Sequence, residues 1–174
     1  MLKIQSPRLV LVAATAKLAK AEAEGGQRLA TLLGASVSPE WPPPLNDEQS
    51  MNWMVEFLDA NPDSVGWALW YFLCPDADGR LMAVGNGGFK GTPSSDGMVE
   101  VGYSIMEKYQ CKGYATEAVT ALVDWAFSKP DVCRVIAHTL PDLTPSIRVL
   151  EKCDFAFVGD GPEEGVILYE RRNV

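Results

Sequence analysis

The chain has 174 residues, of which 47% are hydrophobic and 22% charged, and its formal net charge is −8. This length and composition predict one globular domain over residues 1–174, and the acidic charge argues against a nucleic-acid binder, which normally carries a basic patch. No apolar run approaches the length of a membrane span and the four cysteines form no paired motif, so we expect a cytoplasmic protein with reduced thiols and no metal or membrane contact.

The N-terminal part of the chain predicts a strand, a broken helix and an extended loop. Residues 8–13 are apolar and β-rich, and residues 14–33 have helical spacing that Gly25 and Gly26 interrupt. Three consecutive prolines exclude a helix from residues 38–46. The further predicted strands are 66–73, 81–89, 98–105, 133–139, 155–158 and 166–172, and the further predicted helices are 47–60, 113–128 and 145–152.

This order of elements predicts a mixed, mostly antiparallel sheet with helices on both faces. The unit from 98 to 139 is a strand, a helix and a strand, so it should form a right-handed crossover between parallel strands.

The turn between that strand and that helix predicts an anion site. Gln110, Gly113 and Ala115 stand in the order Q-x-x-G-x-A where the helix begins. A helix start leaves backbone N–H groups without partners, and the helix dipole adds partial positive charge there. Small residues let a phosphate or pyrophosphate approach this backbone. The alternative is that Gly113 only permits a tight turn.

The same turn resembles motif A of the GCN5-related N-acetyltransferases, the GNAT superfamily, whose signature is Q/R-x-x-G-x-G/A after a strand. The string YQCKGYATEAV is similar to the RimJ/RimL-like branch, which acetylates protein N-termini and small amines. A second segment, TPSIRVLEKCDF from Thr144 to Phe155, looks like the family's N-x-x-S-x-R-V-L-E-K-x-G-F. It departs from that motif at Leu143 and Asp154, where the family has asparagine and glycine.

The resemblance implies a single GNAT-like α/β domain with a mixed, six- to seven-stranded sheet flanked by helices. It also implies that strands 98–105 and 133–139 splay apart and that the pantetheine arm of acetyl-CoA, the cosubstrate, lies between them. A further implication is a set of cosubstrate-binding residues. They are Tyr103, Ser104, Ile105, Gln110, Cys111, Lys112, Gly113, Tyr114, Ala115, Thr116 and Ser146.

Two residues are predicted to be catalytic. Glu100 is the candidate base: the family often carries a working glutamate on this strand, and partial burial is expected to raise its pKa. The alternative for Glu100 is a solvated position. Ser146 is the candidate proton donor to the departing thiolate or a cosubstrate contact, and its alternative is a helix N-cap. Many members of the superfamily use a tyrosine in this segment, near the position of Leu150.

The function that follows is an acetyl-CoA-dependent N-acetyltransferase that moves an acetyl group directly to a primary amine. The acceptor is a protein N-terminus or a small-molecule amine, and a homodimer is left open. The alternative is a CoA-binding module without catalysis, because the tyrosine is missing. His138, the only histidine, is expected to lie near the cleft or to be packed.

Overall fold

The computed structural model describes residues 1–173, and its elements follow the order that the hydrophobic pattern predicts. The strands are β1 (Lys3–Gln5), β2 (Val10–Ala13), β3 (Leu69–Pro75), β4 (Leu81–Phe89), β5 (Met98–Ile105), β6 (Arg134–Thr139), β7 (Ala156–Asp160) and β8 (Ile167–Arg172). The helices are α1 (Ala16–Glu24), α2 (Gly26–Leu33), α3 (Glu48–Ala60), α4 (Tyr114–Phe127) and α5 (Thr144–Lys152).

The strands form one eight-stranded sheet in the order β1-β2-β3-β4-β5-β6-β8-β7. Every neighbouring pair is antiparallel except β5 and β6, which are parallel and joined by α4, as the crossover requires. The sheet has one strand more than the six to seven expected, because β1 pairs with β2. With only three residues, β1 is too short to produce an alternating pattern in the sequence.

The parallel strands separate along their length. Pairs join them from Met98 with Arg134 to Glu100 with Ile136, but β5 continues to Ile105 and β6 to Thr139. No ladder pair links the two strands beyond Glu100 in the described part of the chain. The gap between residues 101–105 and 137–139, here called the wedge, confirms the expected splay.

Helices cover both faces of the sheet. Alternate residues of a strand point to opposite faces. Val99, Val101 and Val135 pack with Leu122 of α4 on one face. On the other face, Tyr71 and Leu73 of β3 lie in a second core, with Val12, Leu18, Leu29 and Leu58.

The helix break and the third helix begin at residues whose local chemistry explains them. Gly25 separates α1 from α2 with φ 127°, a region that side chains disfavour. Asp47 accepts the Ser50 backbone N–H and Ser50 Oγ reaches back to Asp47 N, which forms a capping box before α3. Gly34 ends α2 in the left-handed region at φ 62°.

All four cysteines are unpaired. Over residues 1–173, we find no helix that combines the length and the apolar character of a membrane span.

Candidate active site

The turn before α4 has the geometry of an anion site. Helix α4 begins at Tyr114, and its N-cap is Gly113 with φ 80° and no capping side chain. Cys111 also takes a left-handed conformation, with φ 59°, and its side chain is exposed. Gln110 Nε2 donates a hydrogen bond to Ile105 O at 3.0 Å, so this side chain closes the turn against the end of β5. The backbone N–H groups at the helix start are thus left for a ligand.

Arg8 borders the same turn, and sequence reasoning missed it. Its Nη1 donates to Lys112 O at 2.9 Å, and a Cβ added to Gly113 would lie 3.2 Å from its Nη2. Lys112 Nζ lies 5.5 Å from the centre of the Tyr109 ring. The site therefore has a guanidinium beside the helix start in addition to Lys112.

Glu117 attaches the N-terminal segment to α4. Its carboxylate accepts hydrogen bonds from Ser6 Oγ at 2.7 Å and from Arg8 N at 2.6 Å. Burial acts to raise the pKa of Glu117, but the hydrogen bonds from Ser6 and Arg8 outweigh it and the pKa is lowered. Glu117 therefore joins two segments that are distant in the sequence.

The other residues of the turn lie in the first turn of α4 or against it. Tyr114 OH is 3.4 Å from Cys74 Sγ, and Arg8 lies over the Tyr114 ring. Thr116 O accepts from Cys153 Sγ at 3.4 Å, while Ala115 is partly buried against the core. These side chains shape and anchor the helix start.

The wedge combines an open strand edge with polar side chains. Residues Val101 to Ile105 pair with β4 on one side only, so the other backbone edge of β5 is open. Tyr103 OH lies 3.2 Å from Ser146 Oγ and 3.3 Å from Ser146 O. Thr139 Oγ1 is buried and has no hydrogen-bond partner among the described residues. An open strand edge and an unpaired hydroxyl fit a ligand that carries amide and acyl groups.

Ser146 is not the N-cap that one alternative suggested. Helix α5 begins at Thr144 with Leu143 as its N-cap, and Ser146 is the third helical residue. Its hydroxyl faces Tyr103, so it is placed at the wedge. Asp154, which replaces the motif's glycine, adopts φ 62°, a conformation that glycine takes more readily.

Glu100 stands at the vertex of the wedge, in the last pair that joins β5 to β6. Its Oε1 forms an ion pair with Lys90 Nζ, and His138 Nδ1 lies 2.9 Å from the same oxygen. Burial raises the pKa of Glu100, but Lys90 and His138 together lower it below its ordinary value. The expectation of a raised pKa is therefore wrong. Its side chain is only 18% exposed, so the fully solvated alternative does not describe it either.

His138 is the partner that sequence reasoning did not connect with Glu100. Two acceptor atoms do not approach to 2.9 Å without a proton between them, so Nδ1 carries a proton. Whenever the ring is neutral, Nε2 is its acceptor nitrogen. The spacing on β6 agrees with this contact. His138 is two residues after Ile136 and so shares its sheet face, and Ile136 is the residue that pairs with Glu100.

The loop at residues 38–47 forms a wall beside this face of β5. Ser104 Oγ donates to Pro44 O at 2.6 Å. Asn46 and Asn86 exchange hydrogen bonds through their amides, at 3.3 and 3.0 Å. The Ser104 side chain thus holds the loop, while the backbone of Ser104 belongs to the stretch of β5 that borders the wedge.

Comparison with known proteins agrees with this geometry. The family model for the acetyltransferase (GNAT) domain matches residues 10–156. The N-acetyltransferase YjdG of Bacillus subtilis, an uncharacterised protein, is 29% identical over 157 residues, which is 89% of this chain and 90% of that protein.

Solved structures share the fold. A GNAT-family acetyltransferase from Bacillus anthracis has a TM-score of 0.64 at 22% identity and 98% coverage of both chains. The ribosomal L7/L12 alpha-N-protein acetyltransferase RimL, in complex with coenzyme A, has a TM-score of 0.69 at 19% identity, again with 98% coverage of both chains. The expected GNAT fold with RimJ/RimL-like relatives is confirmed, and the chain belongs to the GNAT acetyltransferase family and is an acyltransferase.

Proposed function

We propose that the protein transfers an acetyl group from acetyl-CoA directly to a primary amine. The observation that carries this proposal is the arrangement around the wedge. The open edge of β5 leads from the uncapped start of α4 to the vertex, where Glu100 and His138 meet on the opposite sheet face. Such an arrangement lets the donor enter from the α4 side while the acceptor enters from the side of Glu100.

The reaction requires a proton balance that these residues can provide. Acetyl-CoA supplies the activated acyl group, and the new C–N bond replaces the C–S bond. The amine nitrogen must lose a proton, and the sulfur must gain one. Glu100 and His138 are the proposed acceptors of the first proton, and Ser146 is the proposed hydrogen-bond donor at the sulfur.

Glu100 and His138 can remove the proton of the amine in two ways. Because the lowered pKa keeps Glu100 ionised at neutral pH, its carboxylate can attract a cationic acceptor and take its proton through water. In the second arrangement, Glu100 holds His138 with its proton on Nδ1, and Nε2 accepts the proton from the amine. Both arrangements require the Glu100 carboxylate, so we propose that Glu100 is needed for proton transfer, either as the base itself or by positioning His138.

Several cosubstrate contacts are proposed at the α4 turn and the wedge. The N–H groups near Gly113, together with Arg8 and Lys112, would hold the pyrophosphate, and the backbone of Tyr103 to Ile105 would hold the pantetheine arm. The exposed Cys111 side chain has no chemical task in this proposal. Cys111 and Gly113 both take a left-handed φ in this turn.

The proposed acceptor is a protein N-terminus or a small amine, which the acidic protein would attract when protonated. The experiment measures thiol release from acetyl-CoA over a panel of short peptides, free amino acids and polyamines, with mass spectrometry of each product. Acetylated product in equal amount with free thiol supports the proposal.

A CoA-binding module without catalysis is the second candidate. Leu150, near the position where many superfamily members have tyrosine, is 1% exposed and lies in the core, so it supplies no proton donor. CoA binding without thiol release on any amine of the panel would favour this candidate over the enzyme.

A further inference from the structure

Thr139 contains a buried hydroxyl that the fold does not use. The residue is 7% exposed, and its Oγ1 is the one buried side-chain nitrogen or oxygen atom within residues 1–173 that lacks a hydrogen-bond partner. A buried polar group without a partner is costly, and valine has the same shape without that cost. The fold itself therefore gives no reason for a hydroxyl at this position.

The position of Thr139 relates it to the wedge. Ile136 of β6 and Glu100 of β5 form the last pair of the parallel ladder. Thr139, the last residue of β6, lies three residues beyond Ile136, and Tyr103 lies three residues beyond Glu100. Thr139 and Tyr103 thus stand level on the two sides of the wedge. Strand alternation puts both on the sheet face that α4 and α5 cover.

Two further hydroxyls lie on this side of the wedge, and they already have each other as partners. Tyr103 OH contacts Ser146 Oγ at 3.2 Å. Burial raises the pKa of Tyr103 to about 12, so its phenol stays protonated at neutral pH and remains a donor. Three elements, β5, β6 and α5, thus each contribute one hydroxyl, and only that of Thr139 is unpaired.

We propose that the Thr139 hydroxyl donates a hydrogen bond to the sulfur of the acyl thioester and completes a leaving-group site with Tyr103 and Ser146. This inference rests on the proposed function. When the acetyl group moves from sulfur to nitrogen, the electron pair of the C–S bond goes to sulfur. Thr139 keeps its proton and stabilises this negative charge through the hydrogen bond. The amine loses one proton and the sulfur finally takes one proton from solvent, so the number of protons is conserved.

The test compares Thr139→Val, which removes the hydroxyl at constant shape, with Thr139→Ser, which keeps it. Thr120→Val is the matched control, because Thr120 Oγ1 lies 3.5 Å from Cys153 Sγ and so has a partner. Each variant is assayed for Tm without ligand, for Kd of CoA and for kcat with acetyl-CoA and a working amine. Adenosine 3′,5′-bisphosphate, which lacks the pantetheine arm and its thiol, is the second ligand.

We expect Thr139→Val to raise the stability of the free protein and to lower both its CoA affinity and its kcat. Its Tm without ligand rises by about 2–4 °C, because an unsatisfied buried group is removed. Its CoA affinity and kcat fall by about three- to ten-fold, the value of one hydrogen bond. Thr139→Ser retains the wild-type CoA affinity and kcat. The affinity for adenosine 3′,5′-bisphosphate is unchanged in all of these variants. Thr120→Val does not gain stability and binds CoA normally.

Two results would overturn the inference. If the wild type binds and turns over acetyl-CoA while Thr139→Val matches it in CoA affinity and kcat, only the role of Thr139 is wrong. If the wild type does not bind CoA at all, the proposed function fails and this inference fails with it.

Discussion

Arg8 and Glu117 are separated by 109 residues in the chain, yet Arg8 Nε lies 2.7 Å from Glu117 Oε2. The same guanidinium donates to Lys112 O, one residue before Gly113. The N-terminal segment therefore holds both the first turn of α4 and the turn that leads into it. The shape of the proposed pyrophosphate site depends on a residue far outside its motif.

We expect Arg8→Ala to weaken CoA binding about ten-fold, equivalent to about 1.4 kcal/mol, because the turn loses both its support and a nearby cation. The free energy of unfolding should fall by only about 0.5–1 kcal/mol, since the Arg8 side chain is about half exposed. Calorimetric titration with CoA and urea unfolding measure the two effects. Arg28→Ala, which removes an exposed ion pair with Glu24, is the control and should leave CoA binding unchanged.

Gly113→Ala should lower both stability and CoA affinity. A side chain at φ 80° costs about 1–2 kcal/mol, and the added Cβ would lie 3.2 Å from Arg8 Nη2. Gly34→Ala is the matched control, because Gly34 is also left-handed but a Cβ there meets nothing within 4 Å. Both variants should lose similar stability in urea, and only Gly113→Ala should lose CoA affinity. Equal CoA affinity in the two variants would contradict the anion site.

Local patterns predicted most of the fold. Helical spacing, apolar runs and turn signals predicted every helix and seven of the eight strands. They could not find Lys3–Gln5, a three-residue strand at the sheet edge. The separation of β5 from β6 came from the resemblance alone, because no spacing in the sequence encodes where two strands stop pairing.

The site was predictable only where it is continuous in sequence. The turn from Gln110 to Thr116 is such a segment, and its helix start follows from local chemistry. The contacts of Glu100 with Lys90 and His138 join separate strands, so the lowered pKa of Glu100 could not be predicted. Burial was visible in the sequence, and the opposing charges were not.

Glu22 should make the stability of the protein fall as pH rises. It is 6% exposed, and its carboxylate accepts from Trp41 Nε1 at 2.7 Å and Tyr71 OH at 2.8 Å. Burial raises its pKa more than these hydrogen bonds lower it, so the folded state binds the proton more tightly than the unfolded state. The resulting stability is complete below the unfolded pKa and is lost as pH rises through the folded pKa.

Urea midpoints across that pH range measure this effect. Glu22→Gln should remove the contribution of Glu22 to the slope of midpoint against pH. Glu24→Gln, an exposed glutamate on the same helix, should retain the wild-type slope. A wild-type slope that survives in Glu22→Gln would assign the pH dependence to other groups.

Glu100 and His138 should have distinguishable roles in the transfer of the proton from the amine. Glu100→Gln should lower kcat by about a hundred-fold or more, because a positioned base contributes about 10²–10⁴. The loss should shrink as pH rises, since more of the acceptor amine is then already neutral. CoA affinity should hardly change. Because the ion pair with Lys90 and the contact with His138 lower the pKa of Glu100, its carboxylate stays ionised to a lower pH than an ordinary glutamate does.

The profile of kcat against pH for three variants distinguishes the two roles. If His138 Nε2 accepts the proton, His138→Gln should lose as much rate as Glu100→Gln, and the double variant should lose little more, because the two act as one unit. If Glu100 accepts it through water, His138→Gln should retain most of the rate. Glu170→Gln is the matched control, since Glu170 shares the sheet face but is paired with Arg134 and Arg172. A Glu100→Gln rate that falls equally at every pH would mean that Glu100 positions the acceptor, and a normal rate at every pH would exclude it from the reaction.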